Sequence, residues 1–400
     1  MAVNTLSFTQ IAAIMNAIHS QATGVTSIAA TNTADFVTQG IATLATGFDT
    51  VSNVISQVLS RTIFSQRPYS AKFKSLEVSE SNWGNHVRKI SIADSDLIDH
   101  DGYKWPVAYD AAQTPPIGNG QSVDPFQIHK PDFIQTNFYG KSVYEYGYTI
   151  ARLEMEQAFK GPDELSRWIS MIVGNRSDRL EQAREEYARA TLVNLIAAVI
   201  AEAQTDRVIH LLTEYNTATG LTLTATSVYQ PANFPAFMRW VYARVAAIAS
   251  LMTERSELFQ TVINNKHVMR HTPYQDMRVF LAAPDMYRSE MMALADTYHD
   301  TYLKFADHET VNYWQSIKAP NSINVTAGYI DTSGAAQSAA VSETDVFGVI
   351  CDREAAGTAV TQMWSEPAIN ARAGYTTFWD HATLRSWNDM TEKAVVLLLD

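Results

Sequence analysis

Val346-Phe347-Gly348-Val349-Ile350-Cys351-Asp352-Arg353-Glu354-Ala355-Ala356-Gly357 is the stretch from which the rest of the chain can be placed. Val346–Cys351 is a short apolar run and predicts a strand. Downstream, Ala373–Thr383 and Ala394–Leu399 predict two more strands, so the chain closes on sheet. Upstream, Asn321–Ala340 is rich in Gly, Ser and Ala and reads as a loop. Met277–Ala283 predicts a short strand closed by Pro284, with a helix from about Asp285 to Leu294.

Further toward the N-terminus the period becomes helical. Phe237, Met238, Val241, Val245 and Ile248 give Phe234–Ser250 one apolar face, continuing to about Glu257. Asp206–Tyr229 reads as strands and turns. Gly161-Pro162-Asp163-Glu164 is a helix start, with proline and acids in the first turn. Gly174-Asn175 predicts an interruption, followed by a longer helix over Arg176–Gln204. In that helix Leu180, Ala183, Tyr187 and Ala190 mark the expected buried stripe, and Glu181–Arg184 and Glu185–Arg189 are spaced to pair on the exposed side. Leu192–Ala201 is apolar nearly all round and should be buried.

Arg67–Ile150 is extended chain. Val87–Ile92 and Phe133–Ile150 alternate as strands do, and Pro- and Gly-rich turn signals lie between them. Tyr103, Trp105, Tyr109, Phe126, Phe133, Tyr139 and Tyr144 crowd this region. A hairpin cannot bury so many rings by itself, and Tyr and Trp are common at protein interfaces. The expectation is a protruding loop that lies on another chain. The first sixty residues hold only Asp35 and Asp49 as charges, with two helix-like stretches, Phe8–Ser20 and Asp35–Leu59. Phe36 and Phe48 belong to the apolar stripe of the second stretch. Such a segment is either a helical hairpin on its own core or an arm lying across neighbours.

Composition agrees with self-association. Of 400 residues 46% are hydrophobic and only 18% charged, against about a quarter charged in typical domains. A net charge of −12 with no basic stripe opposes phosphate-backbone binding as the main role. One cysteine, Cys351, leaves no intrachain disulfide and fits a reducing cytoplasm. Neither a secretory signal nor an apolar run long enough for a membrane helix is present.

Partial motifs for chemistry dissolve on inspection. Gly140-Lys141-Ser142 ends like a phosphate-binding loop, but Gln135 stands where its first glycine belongs. Gly118-Asn119-Gly120 lies between prolines and is a turn. The acidic cluster Asp94, Asp96, Asp99 and Asp101 has Leu97 at the first-ligand position of a calcium loop. His267 and His271 have the spacing of helical zinc ligands, without a following Glu or an obvious third ligand. Cys351 sits in an apolar strand, as a buried structural thiol does. No catalytic, cofactor-binding or metal residue is expected.

The Val346–Gly357 tract resembles the strand-then-Asp-Arg/Lys-x-Ala segment of the tailed-bacteriophage major capsid proteins. Arg372-Ala373-Gly374-Tyr375 to Trp387-Asn388, with Ala394–Asp400, is similar to their closing hairpin, and Met277–Leu294 resembles part of their axial domain. The resemblance implies the α+β Hong-Kong-97-like fold. It implies an N-terminal arm (1–66), an extended loop (67–150), a peripheral domain with a spine helix (151–225), an axial domain (226–345) and return strands to the peripheral domain (346–400). It further implies no enzymatic activity and no cofactor. Hexamers and pentamers would build an icosahedral shell around double-stranded DNA, with Phe36, Phe48, Tyr103, Trp105, Tyr109, Phe126, Phe133, Tyr139 and Tyr144 between subunits. Separate scaffolding, portal and decoration proteins are possible partners, assembly would occur in the bacterial cytoplasm, and no N-terminal cleavage is expected. An encapsulin-like compartment and an unrecognised α+β hydrolase or transferase remain as alternatives.

Overall fold

The computed structural model describes residues 7–24, 30, 32–47, 50, 51, 54, 71–78, 87–93, 133–264, 266–293 and 308–400. Its longer helices are α1 (Phe8–Thr23), α2 (Thr33–Leu44), α3 (Arg152–Ala158), α4 (Pro162–Glu202), α5 (Leu211–Thr219), α6 (Phe234–Thr253) and α7 (Ala283–Ala293). The strands are β1 (Val87–Ile92), β2 (Phe133–Phe138), β3 (Lys141–Ala151), β4 (Val208–His210), β5 (Met277–Ala282) and β6 (His308–Val311). They continue as β7 (Ile323–Ile330), β8 (Ala336–Glu343), β9 (Val346–Asp352), β10 (Ala356–Asn370), β11 (Tyr375–Asn388) and β12 (Ala394–Leu398). The chain divides into two compact units, one drawn from 1–85, 139–192 and 357–387, the other from 86–138, 193–356 and 388–400.

In the first unit, strands in the order β10-β11-β3 form a sheet. α1 opens with Ser7 as N-cap, its hydroxyl and the Gln10 side chain closing a capping box, and ends at Gly24. Ile11, Ile14, Met15 and Ile18 of α1 and Phe36 of α2 bury against Met155, Phe159, Leu165, Ile169 and Phe378. The described part of the N-terminal segment is thus a helical layer on its own core. The second helix-like stretch starts at Thr33 and ends at Leu44, near Gly47 with its positive φ of 110°.

α4 is one helix of 41 residues with no break at Gly174-Asn175. A mid-helix glycine costs about 1 kcal/mol relative to alanine. The Arg176 guanidinium meets buried Asp380 at 2.6 Å, an anchor two residues beyond the glycine that offsets such a cost. The buried stripe also differs from the expected one, because Ala190 is exposed while Glu185, Ala188 and Arg189 are buried. Glu181 and Glu185 accept from the backbone N–H groups of Ala71 and Lys72, each at 3.2 Å. Arg189 pairs with Glu185 at 2.6 Å and covers the Phe73 ring. The charge pairs assigned to the solvent side therefore fasten a passing segment of chain.

The second unit is built on a five-stranded sheet in the order β4-β12-β9-β5-β6. β9 is buried along its whole length, antiparallel to β12 and to β5. α6 covers the sheet with the stripe its period marks: Phe237, Met238, Val241, Val245 and Ile248 are all buried. Leu192–Val199 of α4 are buried, except half-buried Asn194. Two expectations fail here. Asp206–Tyr229 contains helix α5 besides its strand and turns. Asn321–Ala340 is not a loop but most of the β7–β8 hairpin. Ile323, Val325, Ala327 and Tyr329 alternate with polar or small residues along β7, and the small side chains hide the period. Asp331 shapes the turn, accepting from Ser333 N–H, Ser333 Oγ and Ala335 N–H at 2.9, 2.6 and 3.0 Å.

Candidate assembly surfaces

Alternation along β1 and β2 divides their ribbon into two faces. The register sets Lys89 opposite Thr136 and Ser91 opposite Ile134 on one face, and Ile90 opposite Gln135 and Ile92 opposite Phe133 on the other. The first face is the half-buried one. The second exposes Ile90, Ile92 and Phe133 at 54%, 59% and 55%. Val87, Ile134 and Phe138 lie on the half-buried face, so apolar residues stand on both faces, whereas a two-stranded ribbon on a folded body ordinarily turns its apolar residues inward.

The inward face carries charge. Lys89 Nζ lies 3.0 Å from Glu354 and 2.9 Å from Asp389, and it contacts Glu392. Arg270 Nε lies 3.2 Å from the same Glu392, and its other nitrogen donates to Ser91 Oγ at 2.7 Å. Burial works against the Lys89 charge, but Asp389 and Glu392 outweigh it and hold its pKa above the ordinary lysine value. A lysine with a raised folded pKa contributes its full stabilisation below the unfolded value and loses it only as pH climbs through the folded one. The ribbon is therefore held charged throughout the neutral range.

In the first unit the outward face of the sheet is aromatic. Trp379 lies over Gly147, where a Cβ would come within 2.8 Å of the indole. Trp364 stacks on His381 with ring centroids 4.9 Å apart. Trp364, Trp379, Val143 and Met363 are all substantially exposed. Residues 362–370, the far end of β10, are exposed on both faces apart from Ser365 and Asn370.

The residues singled out from sequence meet different fates. Phe133 and Tyr139 are exposed. Tyr144 is half-buried, its ring edge-on to Tyr187 at 6.1 Å within its own unit. Phe36 is fully buried among α1, α3 and the start of α4, so its expected contact with a neighbour gives way to a core position. Phe48, Tyr103, Trp105, Tyr109 and Phe126 lie outside the described residues, as does the Asp94–Asp101 cluster. Lys89, Ile90, Ile92, Trp364 and Trp379 were not singled out. Alternation in 87–92 gives two faces but does not say which is buried.

The partial chemical motifs resolve into structure. Gly140 passes so close to Ser386 that a Cβ would stand 2.5 Å from its carbonyl oxygen, and Lys141-Ser142 opens β3. His267 Nδ1 lies 2.6 Å from Glu257. Among the described residues no three His, Cys, Asp or Glu side chains gather as a metal site, and no helix is long and apolar enough to cross a membrane. Cys351 is fully buried, and burial pushes its thiol up to about 12. The native protein should leave an aromatic disulfide reagent unreacted at pH 8 and react fully in denaturant. Rapid native labelling would contradict the buried placement.

The family model described as the Phi29-like phage major capsid protein matches residues 11–397. The fold is similar to that in the capsid structure of Staphylococcus phage Andhra, with a TM-score of 0.52, 12% identity and coverage of 85% of this chain and 87% of that one. It is also similar to a chain in the structure of the head fiber and inner core protein gp22 of native bacteriophage P68. There the TM-score is 0.53, the identity 10%, and the coverage again 85% and 87%. At such identities the likeness shows the fold, the Hong-Kong-97-like one. No curated protein sequence matches the chain.

Proposed function

Since the chain belongs to the family of Phi29-like phage major capsid proteins, we propose that it assembles by burying the outer face of the β1–β2 ribbon against other copies of itself. The major capsid role and self-assembly into capsid oligomers belong to the family. The contact surfaces are our reading, and the exposed Ile90, Ile92 and Phe133 of the ribbon carry it.

Ile90, Ile92 and Phe133 are already nearly half covered, so a neighbour that buried the rest would contribute about 1 kcal/mol for each side chain, roughly half the value of full burial. Repeated at every subunit of a closed shell, a modest contact adds up, because ordering costs are shared among several neighbours. Tyr139, Trp364 and Trp379 offer further surface of the same kind. Tyr144 retains only its half-exposed edge for a neighbour.

In this reading, hexamers and pentamers of the chain close an icosahedral shell around double-stranded DNA. With its net charge of −12, the protein encloses nucleic acid without binding it through a basic face. Scaffolding, portal and decoration proteins are separate chains, the subunit performs no catalysis, and assembly takes place in the host cytoplasm. The described helices α1 and α2 belong to the subunit's own body, and residues 226–345 supply the part that gathers about the five- and six-fold centres.

Particles purified from infected cells test this directly. Nuclease-protected double-stranded DNA inside shells of this chain is expected. Shells filled with a protein cargo and lacking DNA would favour a storage compartment instead.

A further inference from the structure

The β1–β2 ribbon meets its unit through charge as well as through the half-buried Val87, Ile134 and Phe138. Lys89 contributes a cation from the ribbon's inner face, while Arg88 alternates to the exposed face. Facing Lys89 are Glu354, from the turn between β9 and β10, and Asp389 and Glu392, from the turn between β11 and β12. The two turns are fastened together, with the Asp389 N–H donating to the Ala355 carbonyl at 2.7 Å. The Asp389 and Glu392 side chains are only 2% and 5% exposed, so water compensates little for a missing partner. Arg270 joins from the segment before β5, and Lys266 Nζ donates to the Phe133 carbonyl at 3.3 Å. Lys393 points elsewhere, to the Glu254 carbonyl and Ser256 Oγ.

We propose that the β1–β2 ribbon is a separable element held down by an ionic latch at Lys89, able to lift as one piece while the five-stranded sheet stays folded. Two six-residue strands make a marginal ribbon when isolated. Their outward Ile90, Ile92 and Phe133 contribute little to docking on the body. Docking therefore rests on the half-buried Val87, Ile134 and Phe138 and on satisfying one lysine and its facing carboxylates together. Removing one member of a buried, interlocked charge group is strongly destabilising, whereas rupture of the whole group returns every charge to water. That difference makes intermediate positions costly and gives the ribbon two states, down and free. The device rests on the capsid reading in one respect: the face that moves when the ribbon lifts is the one that meets a second copy.

Hydrogen exchange measured by mass spectrometry on unassembled full-length subunits tests the latch. In Lys89→Met, amides of residues 87–92 and 133–138 should exchange roughly 100-fold faster, while those of β5, β9 and β12 keep their rates. Lys89→Arg should retain slow exchange. Unchanged ribbon exchange in Lys89→Met would overturn the proposal, and so would an equal acceleration across the five-stranded sheet. If Lys89→Met fails to fold, Glu354→Gln removes only the exposed partner. It should speed ribbon exchange a few-fold with the sheet unaffected, and no change there would equally overturn the latch. Because the subunits are unassembled, these outcomes do not depend on shell formation, which electron microscopy of the same preparations scores separately.

Discussion

Gly348→Ala is expected to cost the second unit about 3 kcal/mol or more, enough to leave most of the chain insoluble on expression. Gly348 sits in β9, between β12 and β5, paired with Leu397 on one side and Leu281 on the other. A Cβ there would stand 2.6 Å from the Phe280 carbonyl oxygen and 2.7 Å from Leu281 Cδ2. The first of these is backbone held in a ladder, so the strand cannot yield without losing hydrogen bonds. The pairing with β12 steps from Gly348 to Val346, leaving Phe347 as an unpaired bulge residue. Thermal unfolding of whatever soluble protein is recovered should show a much lowered midpoint. A wild-type midpoint would mean that the sheet centre has slack that this packing denies.

Paired Ile92→Asp and Phe133→Asp substitutions should have the opposite character. The two side chains face each other on the outer face of the ribbon, more than half exposed, so folding should be little affected. Assembly should be abolished, because burying two unpaired carboxylates costs several kcal/mol at every copy of the contact. Circular dichroism and melting should remain near wild type while sedimentation shows only small species. Normal shells from the double variant would remove the ribbon from the interface. The single aspartates should each reduce the yield of shells, and Ile90→Asp should behave in the same way.

These substitutions also separate what the sequence displays from what it hides. Helix α6 is legible because Phe237, Val241, Val245 and Ile248 recur at helical steps with large side chains, and all are buried. The buried strand Val346–Cys351 is legible because its run is short and apolar, and the structure extends it only to Asp352. By contrast, Gly174 is a local signal overridden by a partner 204 positions beyond Arg176, Asp380. The 15-residue strand β10 escapes notice because its first half is small and its second half mixes Trp364 with Glu366 and Pro367. A strand's length in a sheet depends on its neighbour, here β11, rather than on its own pattern.

The proposed interface is legible in the sequence only in kind. Crowded rings and a charge-poor surface suggest burial against other chains, and Phe133 and Tyr139 are exposed in the subunit. Yet Phe36, with the same apolar character, is spent within its own core. Nothing in Val87–Ile92 says whether Lys89 or Ile90 faces inward. That choice is made by Glu392, 303 positions away along the chain, and by the turn that presents it beside Asp389.

An electron-microscopic reconstruction of particles assembled from the purified chain tests most directly that the subunit buries this ribbon against its own copies. Closed shells are expected, with Ile90, Ile92 and Phe133 of each subunit covered by side chains of an adjacent one. Closed shells in which that face is open to solvent, or a chain that remains a small oligomer under all assembly conditions, would contradict it.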